Sequence, residues 1–137
     1  MRLAVAAAGL ALQLDPPSAG AEVVAVVSAR SAVRTLSASQ LTDIFLGRAS
    51  TFPSGARAVP IDQPEGSAAR DEFYAKVAGK SPAQIKAFWS KIIFTGRGQP
   101  PKEAANGTDV KKLVASNADA IGYIDSTLVD DSVRVVR

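Results

Sequence analysis

Apolar residues fall along the chain in two rhythms. Glu22-Val-Val-Ala-Val-Val-Ser28 is β-branched and almost wholly apolar, the pattern of a strand buried on both faces, as in a parallel sheet. Ser37-Ala-Ser-Gln40 reads as a capping box, with Leu36 and Leu41 placed as a hydrophobic staple. Leu41, Ile44 and Phe45 then share one helical face, and Gly47 supplies the stop. A second strand is predicted over Arg57–Asp62, followed by the turn residues Gln63-Pro-Glu-Gly66. Ser67 caps a helix that carries Phe73 and Val77 inward and ends near Gly79. Ser81, with Pro82 in the first turn and Gln84 closing another capping box, starts a helix with the stripe Ile85, Phe88, Trp89, Ile92. After a Gly/Pro-rich loop, Asn106-Gly107 reads as a turn and Thr108 as the cap of a helix with Val110, Leu113 and Val114 inward. Strands over Ala120–Asp125 and Ser132–Val136 close the pattern. The order β-α-β-α-α-α-β-β predicts an α/β fold, a three-layer α/β/α sandwich with a mixed sheet.

The first residues follow neither rhythm. Arg2 precedes an apolar run from Leu3 to Leu14, then Pro16, Pro17 and Ala19-Gly20-Ala21. A basic start, a short apolar stretch and an A-x-A site describe a secretory signal peptide over residues 1–21. The run is too short to span a bilayer as a stable helix. The expectation is therefore a leader followed by a single domain over 22–137, periplasmic or secreted in a bacterial source, with no membrane span after cleavage.

Composition narrows the chemistry. The 137 residues include no Cys and no His, which removes thiolate and imidazole metal sites, cysteine nucleophiles and Ser–His–Asp triads. Sixteen basic residues are interspersed with 13 acidic ones for a net charge of +3, without a block of like charge, so a nucleic-acid surface is not expected. Gly79-Lys80-Ser81 lacks the first glycine of a P-loop, Pro101 stands where Gly96-Arg97-Gly98 would need its third glycine, and no G-x-S-x-G is present. No nucleophile stands with a base to activate it, and no enzyme is expected.

One constellation remains. Asp62-Gln-Pro-Glu-Gly-Ser-Ala-Ala-Arg70 runs from a strand end through a glycine turn into a helix start, where exposed amide N–H groups and the helix dipole attract anions. Gln63, Glu65, Gly66, Ser67 and Arg70 are its candidates. The competing account has Ser67 capping its own helix and Arg70 paired with solvent or Glu65. A second anion-capable loop, Ser28-Ala-Arg-Ser31, follows the first strand. If the first two strands are parallel neighbours, Ser28 and Ser31 converge with the Gln63–Ser67 turn at one sheet edge. Phe88 and Trp89 read as packing, and Arg97 as a solvated loop residue or a third anion contact.

Leu36-Ser-Ala-Ser-Gln-Leu-Thr-Asp-Ile-Phe-Leu-Gly47, Pro60-Ile-Asp62, Glu65-Gly-Ser67 and Ala120-Ile-Gly-Tyr-Ile124 resemble, in that order, segments of the phosphate-binding proteins of phosphate ABC transporters. The resemblance implies one lobe of a type 2 periplasmic-binding-protein fold. It also implies that Gly66 and Ser67 hold an oxyanion and that Glu65 stands where the family has an Asp accepting the proton of hydrogen phosphate. The chain departs from the family at Gln63, where an Arg would precede that Asp, at Ala68 and Ala69, where Gly and Thr would stand, and at Asp119, in place of a Gly. The family's proteins are two-lobed, and this chain is most similar to small stand-alone members. Taken with the residues, the resemblance implies an exported solute-binding-like protein recognising a small oxyanion, phosphate first, with no cofactor and with a transporter or sensor protein as partner. The alternative is a ligand-free sensory or interaction module that contacts a protein or a second copy of itself.

Overall fold

The computed structural model describes residues 22–137, so the leader expected over 1–21 lies outside the described residues. The elements are β1 (Val23–Ser28), α1 (Ala38–Phe45), β2 (Val59–Asp62), α2 (Ala68–Ala78), α3 (Pro82–Phe94), β3 (Lys102–Glu103), α4 (Gly107–Ser116), β4 (Ala120–Asp125) and β5 (Val133–Val135), with a 3₁₀ turn over Ser126–Leu128. None of the described helices is long and apolar enough to cross a membrane.

Local chemistry sets the helix ends. Ser37 Oγ accepts from the Gln40 amide at 3.1 Å while Gln40 Oε1 accepts from the Ser37 amide at 2.9 Å, and Leu36 and Leu41 are both buried in one cluster. Ser81 and Gln84 repeat the reciprocal pair with Pro82 at the first turn. The last helix starts earlier than the sequence predicts. Asn106, not Thr108, is its cap, its side-chain oxygen accepting from the Asp109 amide at 2.9 Å. Asn outranks Thr as a cap, and here the Asn-Gly pair opens the helix instead of preceding it.

The five strands form one mixed sheet in the order β3-β2-β4-β1-β5. β2 is parallel to both β3 and β4, whereas β1 is antiparallel to β4 and β5. Period-two alternation divides the strands between two cores. Val23, Ala25, Val27, Ile121 and Tyr123 face α1, α2 and α3; Val26, Ile61, Ala120 and Ile124 face α4. This is the expected three-layer α/β/α sandwich. At Gly122 the second layer comes closest: a Cβ there would sit 2.5 Å from Val110 Cγ1 and 3.2 Å from Val114 Cγ2, so α4 lies on the sheet only because the side chain is missing.

The expectation that β1 and β2 are parallel neighbours is corrected. β4 lies between them, parallel to β2 and antiparallel to β1, with Pro60 and Val27 both opposite Ile121. The C-terminal ends of β1 and β2 therefore point to opposite ends of the sheet. An all-apolar strand serves equally well in either direction, and its neighbours are chosen by residues far along the chain.

Candidate functional site

At the C-terminal end of β2 the chain makes a tight bend. The Ser67 amide donates to the Pro64 carbonyl at 3.0 Å, and Gly66, third in that turn, has φ +94°. This is the left-handed position of a type II turn, which glycine fills without strain. α2 begins immediately after. Ser67 Oγ accepts from the Arg70 amide at 3.2 Å and Asp71 N–H donates to the Ser67 carbonyl at 3.1 Å. The amides of Gly66, Ala68 and Ala69 find no acceptor among the described residues. Glu65, Gly66 and Ala68 are exposed and Ser67 and Ala69 half-buried, so these donors face solvent at the positive end of an eleven-residue helix.

Beneath the bend lies a buried polar knot. Asp62, 2% exposed, accepts through Oδ2 from Tyr74 Oη at 2.7 Å, and through Oδ1 from the Gln63 amide at 2.8 Å and, in a very short contact, from Tyr123 Oη. Burial first, and then the Asp62 charge, push the Tyr74 and Tyr123 hydroxyls far above the usual phenol range, so both stay protonated donors. The rings are locked as well: Phe73 stacks on Tyr123 with centroids 4.2 Å apart, and Phe45 meets Phe73 edge-on at 4.8 Å. Sequence reasoning misses this knot. Its only signal is an aspartate closing an apolar strand, with Tyr74 and Tyr123 each on an inward-facing position.

The candidate residues take different places. Gln63 is buried and turned inward: Nε2 donates to the Tyr123 carbonyl at 2.9 Å and Oε1 accepts weakly from Ser67 Oγ at 3.5 Å. Arg70 extends back beneath the bend, where Nη1 donates to the Gln63 carbonyl at 2.9 Å and approaches Glu103 at 3.5 Å. It packs over the Tyr74 ring with its guanidinium carbon 5.7 Å from the centroid. It is a brace, paired with Glu103 and not with solvent or Glu65. Glu65 stands exposed, 3.6 Å from Lys86 Nζ.

Ser28 and Ser31 do not converge with the bend, because β1 delivers them to the other end of the sheet. There Ser28 Oγ accepts from the Arg30 amide at 3.1 Å and donates to the Ala115 carbonyl at 3.4 Å, and Ser31 Oγ accepts from the Val33 amide at 3.1 Å. Arg134 closes this loop by donating to the carbonyls of Ala29, Ser31 and Val33. Trp89, 6% exposed, packs in the α1–α3 core, and Phe88 is half-buried beside it. Arg97 is exposed in its loop. Among the described residues no group of acidic side chains is arranged to hold a metal ion.

No family model matches the chain, and no curated protein matches it. Solved structures do. One, described as a phosphate ABC transporter substrate-binding protein with bound phosphate from Clostridium perfringens, is 26% identical at a TM-score of 0.66, over 85% of this chain and 44% of that one. An ABC-type phosphate transport receptor from Vibrio cholerae is 19% identical at a TM-score of 0.66, over 85% of this chain and 46% of that one. A possible phosphate binding protein from Planctomyces limnophilus is 13% identical at a TM-score of 0.62, over 85% and 41%. The chain spans less than half the length of each of these proteins. The likeness establishes the fold, and the proteins that share it are binding proteins.

Proposed function

We propose that this chain binds a small oxyanion, phosphate first, at the Glu65–Ala69 bend and catalyses nothing. The observation that carries the reading is the set of solvent-facing amides at Gly66, Ala68 and Ala69, held at a helix start by the buried Asp62–Tyr74–Tyr123 knot and the Arg70 brace. Such donors cost no reorganisation when an anion arrives. Ser67 supplies a hydroxyl beside them. Glu65 adds negative charge at the rim, which favours a protonated oxyanion over a fully ionised one and gives hydrogen phosphate an acceptor for its proton. Gln63 and Arg70 support the bend from below, and Ser28 and Ser31 are not part of the site. The presence of phosphate in a similar structure supports the choice of ligand. Residues 1–21 act as an export leader in this reading, and a transporter or sensor component is the expected partner.

Ala68→Pro tests the reading with little damage. Proline is well tolerated at the first position of a helix, and Ser67, at ψ 132°, already has the extended backbone that a following proline requires. The substitution removes one amide donor and leaves the cap. Calorimetric titration with phosphate is expected to show binding that weakens about tenfold to a hundredfold in Ala68→Pro, the value of one charge-assisted hydrogen bond. Unchanged affinity in the variant, or no heat from phosphate or sulfate with the native chain, overturns the proposal and favours the interaction-module alternative.

A further inference from the structure

Charge is unevenly spread over the surface. Between Ile44 and Ile61, and again between Pro82 and Lys102, the chain holds Arg48, Arg57, Lys86, Lys91, Arg97 and Lys102 and not one Asp or Glu. Folding joins the two segments. Arg57 and Lys102 line one groove, Arg48, Lys91 and Arg97 line the next, and Gln99 is shared by both. Arg48 reaches Asp43 and Lys86 reaches Glu65, but Arg57, Lys91, Arg97 and Lys102 have no ion pair among the described residues.

Among the described residues the exposed apolar bulk lies on α3, the helix that also carries Lys91. At the C-terminal end of α3, Phe94 is 91% exposed and Ile93 55%, and no other large hydrophobic residue among those described is left so open. Ile93 lines a third groove with Gln99 and Pro100, which places it beside the basic pair of grooves. Two side chains are far too little for a stable protein interface, which buries on the order of 1,200 Å² or more. They are enough for a bilayer surface, where one or two apolar side chains enter the headgroup layer and nearby cations do the rest. Each Lys or Arg close to an anionic leaflet strengthens partition about fivefold.

We propose that the Phe94 end of α3 docks on an anionic phospholipid surface. Phe94 and Ile93 enter the headgroup region, and Arg57, Lys91, Arg97 and Lys102 face the lipid phosphates. Docking leaves the oxyanion bend open, since Lys86, which reaches Glu65, lies about 12 Å back along the helix axis from Phe94.

The test compares the full chain carrying Phe94→Trp with the native chain, whose single tryptophan, Trp89, is buried, so that the difference in emission reports this site. The expected result is a blue shift and quenching by brominated lipid on vesicles containing phosphatidylglycerol, absent on pure phosphatidylcholine and reversed by salt. Lys91→Glu with Arg97→Glu in that background should weaken partition at least tenfold. Both altered residues are exposed, so thermal unfolding of the variants checks that the fold is intact. No shift on anionic vesicles, or an equal shift on neutral ones, overturns the proposal. So does a shift that appears without lipid as protein concentration rises, since that marks a second copy on this face.

Discussion

Above pH 10 the two tyrosines should control the stability of this protein. Tyr74 and Tyr123 are the chain's only tyrosines, both are buried, and both donate to the buried carboxylate of Asp62. Burial and the Asp62 charge hold their hydroxyls far above the usual phenol range in the folded state, whereas in the unfolded chain they titrate near pH 10. For a group whose folded value is raised, the stabilisation is complete below the unfolded value and is lost as pH climbs through and beyond it. Each tyrosine should therefore cost about 1.4 kcal/mol per pH unit above pH 10, and the pair about 2.8 kcal/mol by pH 11. That is a large share of the roughly 5–15 kcal/mol typical of a domain. Denaturant unfolding followed by circular dichroism from pH 8 to 11 measures the slope, and tyrosinate absorbance near 295 nm reports the same two residues directly. The absorbance should rise only as the fold is lost, and Tyr74→Phe should remove about half of the slope while lowering stability at every pH. Tyrosinate appearing with a midpoint near pH 10 in a chain that remains folded would refute the buried knot.

Two further outcomes test the packing and the helix ends. Gly122→Ala should destabilise by about 1–3 kcal/mol through overpacking against Val110 and Val114, read from the denaturation midpoint at unchanged slope. Ser37→Ala removes the cap and its reciprocal pair with Gln40 and should cost about 1 kcal/mol, whereas the exposed neighbour Ser39→Ala should change stability by no more than about 0.5 kcal/mol.

The legible part of the sequence is local. The caps at Ser37, Ser67 and Ser81 depend on residues three positions apart, and the structure has each of them. Ala120–Asp125 likewise reads as a strand, and the structure buries it on both faces. Long-range choices leave no such mark. Nothing in the run Val23–Ser28 distinguishes a parallel from an antiparallel neighbour, so the placement of Ser28 and Ser31 beside the bend fails with the strand order. The two-residue edge strand at Lys102 is too short to leave a periodic signal. Arg70 reads as an anion contact because it lies one turn into α2. Its carbonyl and carboxylate partners, Gln63 and Glu103, become neighbours only after β2 and β3 pair. Asp62 meets Tyr123 across 61 positions of sequence, through the parallel pairing of β2 with β4.

The proposed oxyanion site is built from individual amides, and amide-resolved NMR observes them directly. Titration of ¹⁵N-labelled protein with phosphate should move the Gly66, Ala68 and Ala69 resonances saturably and downfield, as expected for N–H groups that gain an anionic acceptor, while Ser28, Arg30 and Ser31 stay still. Phosphate that leaves those three amides unmoved at millimolar concentration, or that moves the Ser28–Ser31 loop instead, would contradict the account.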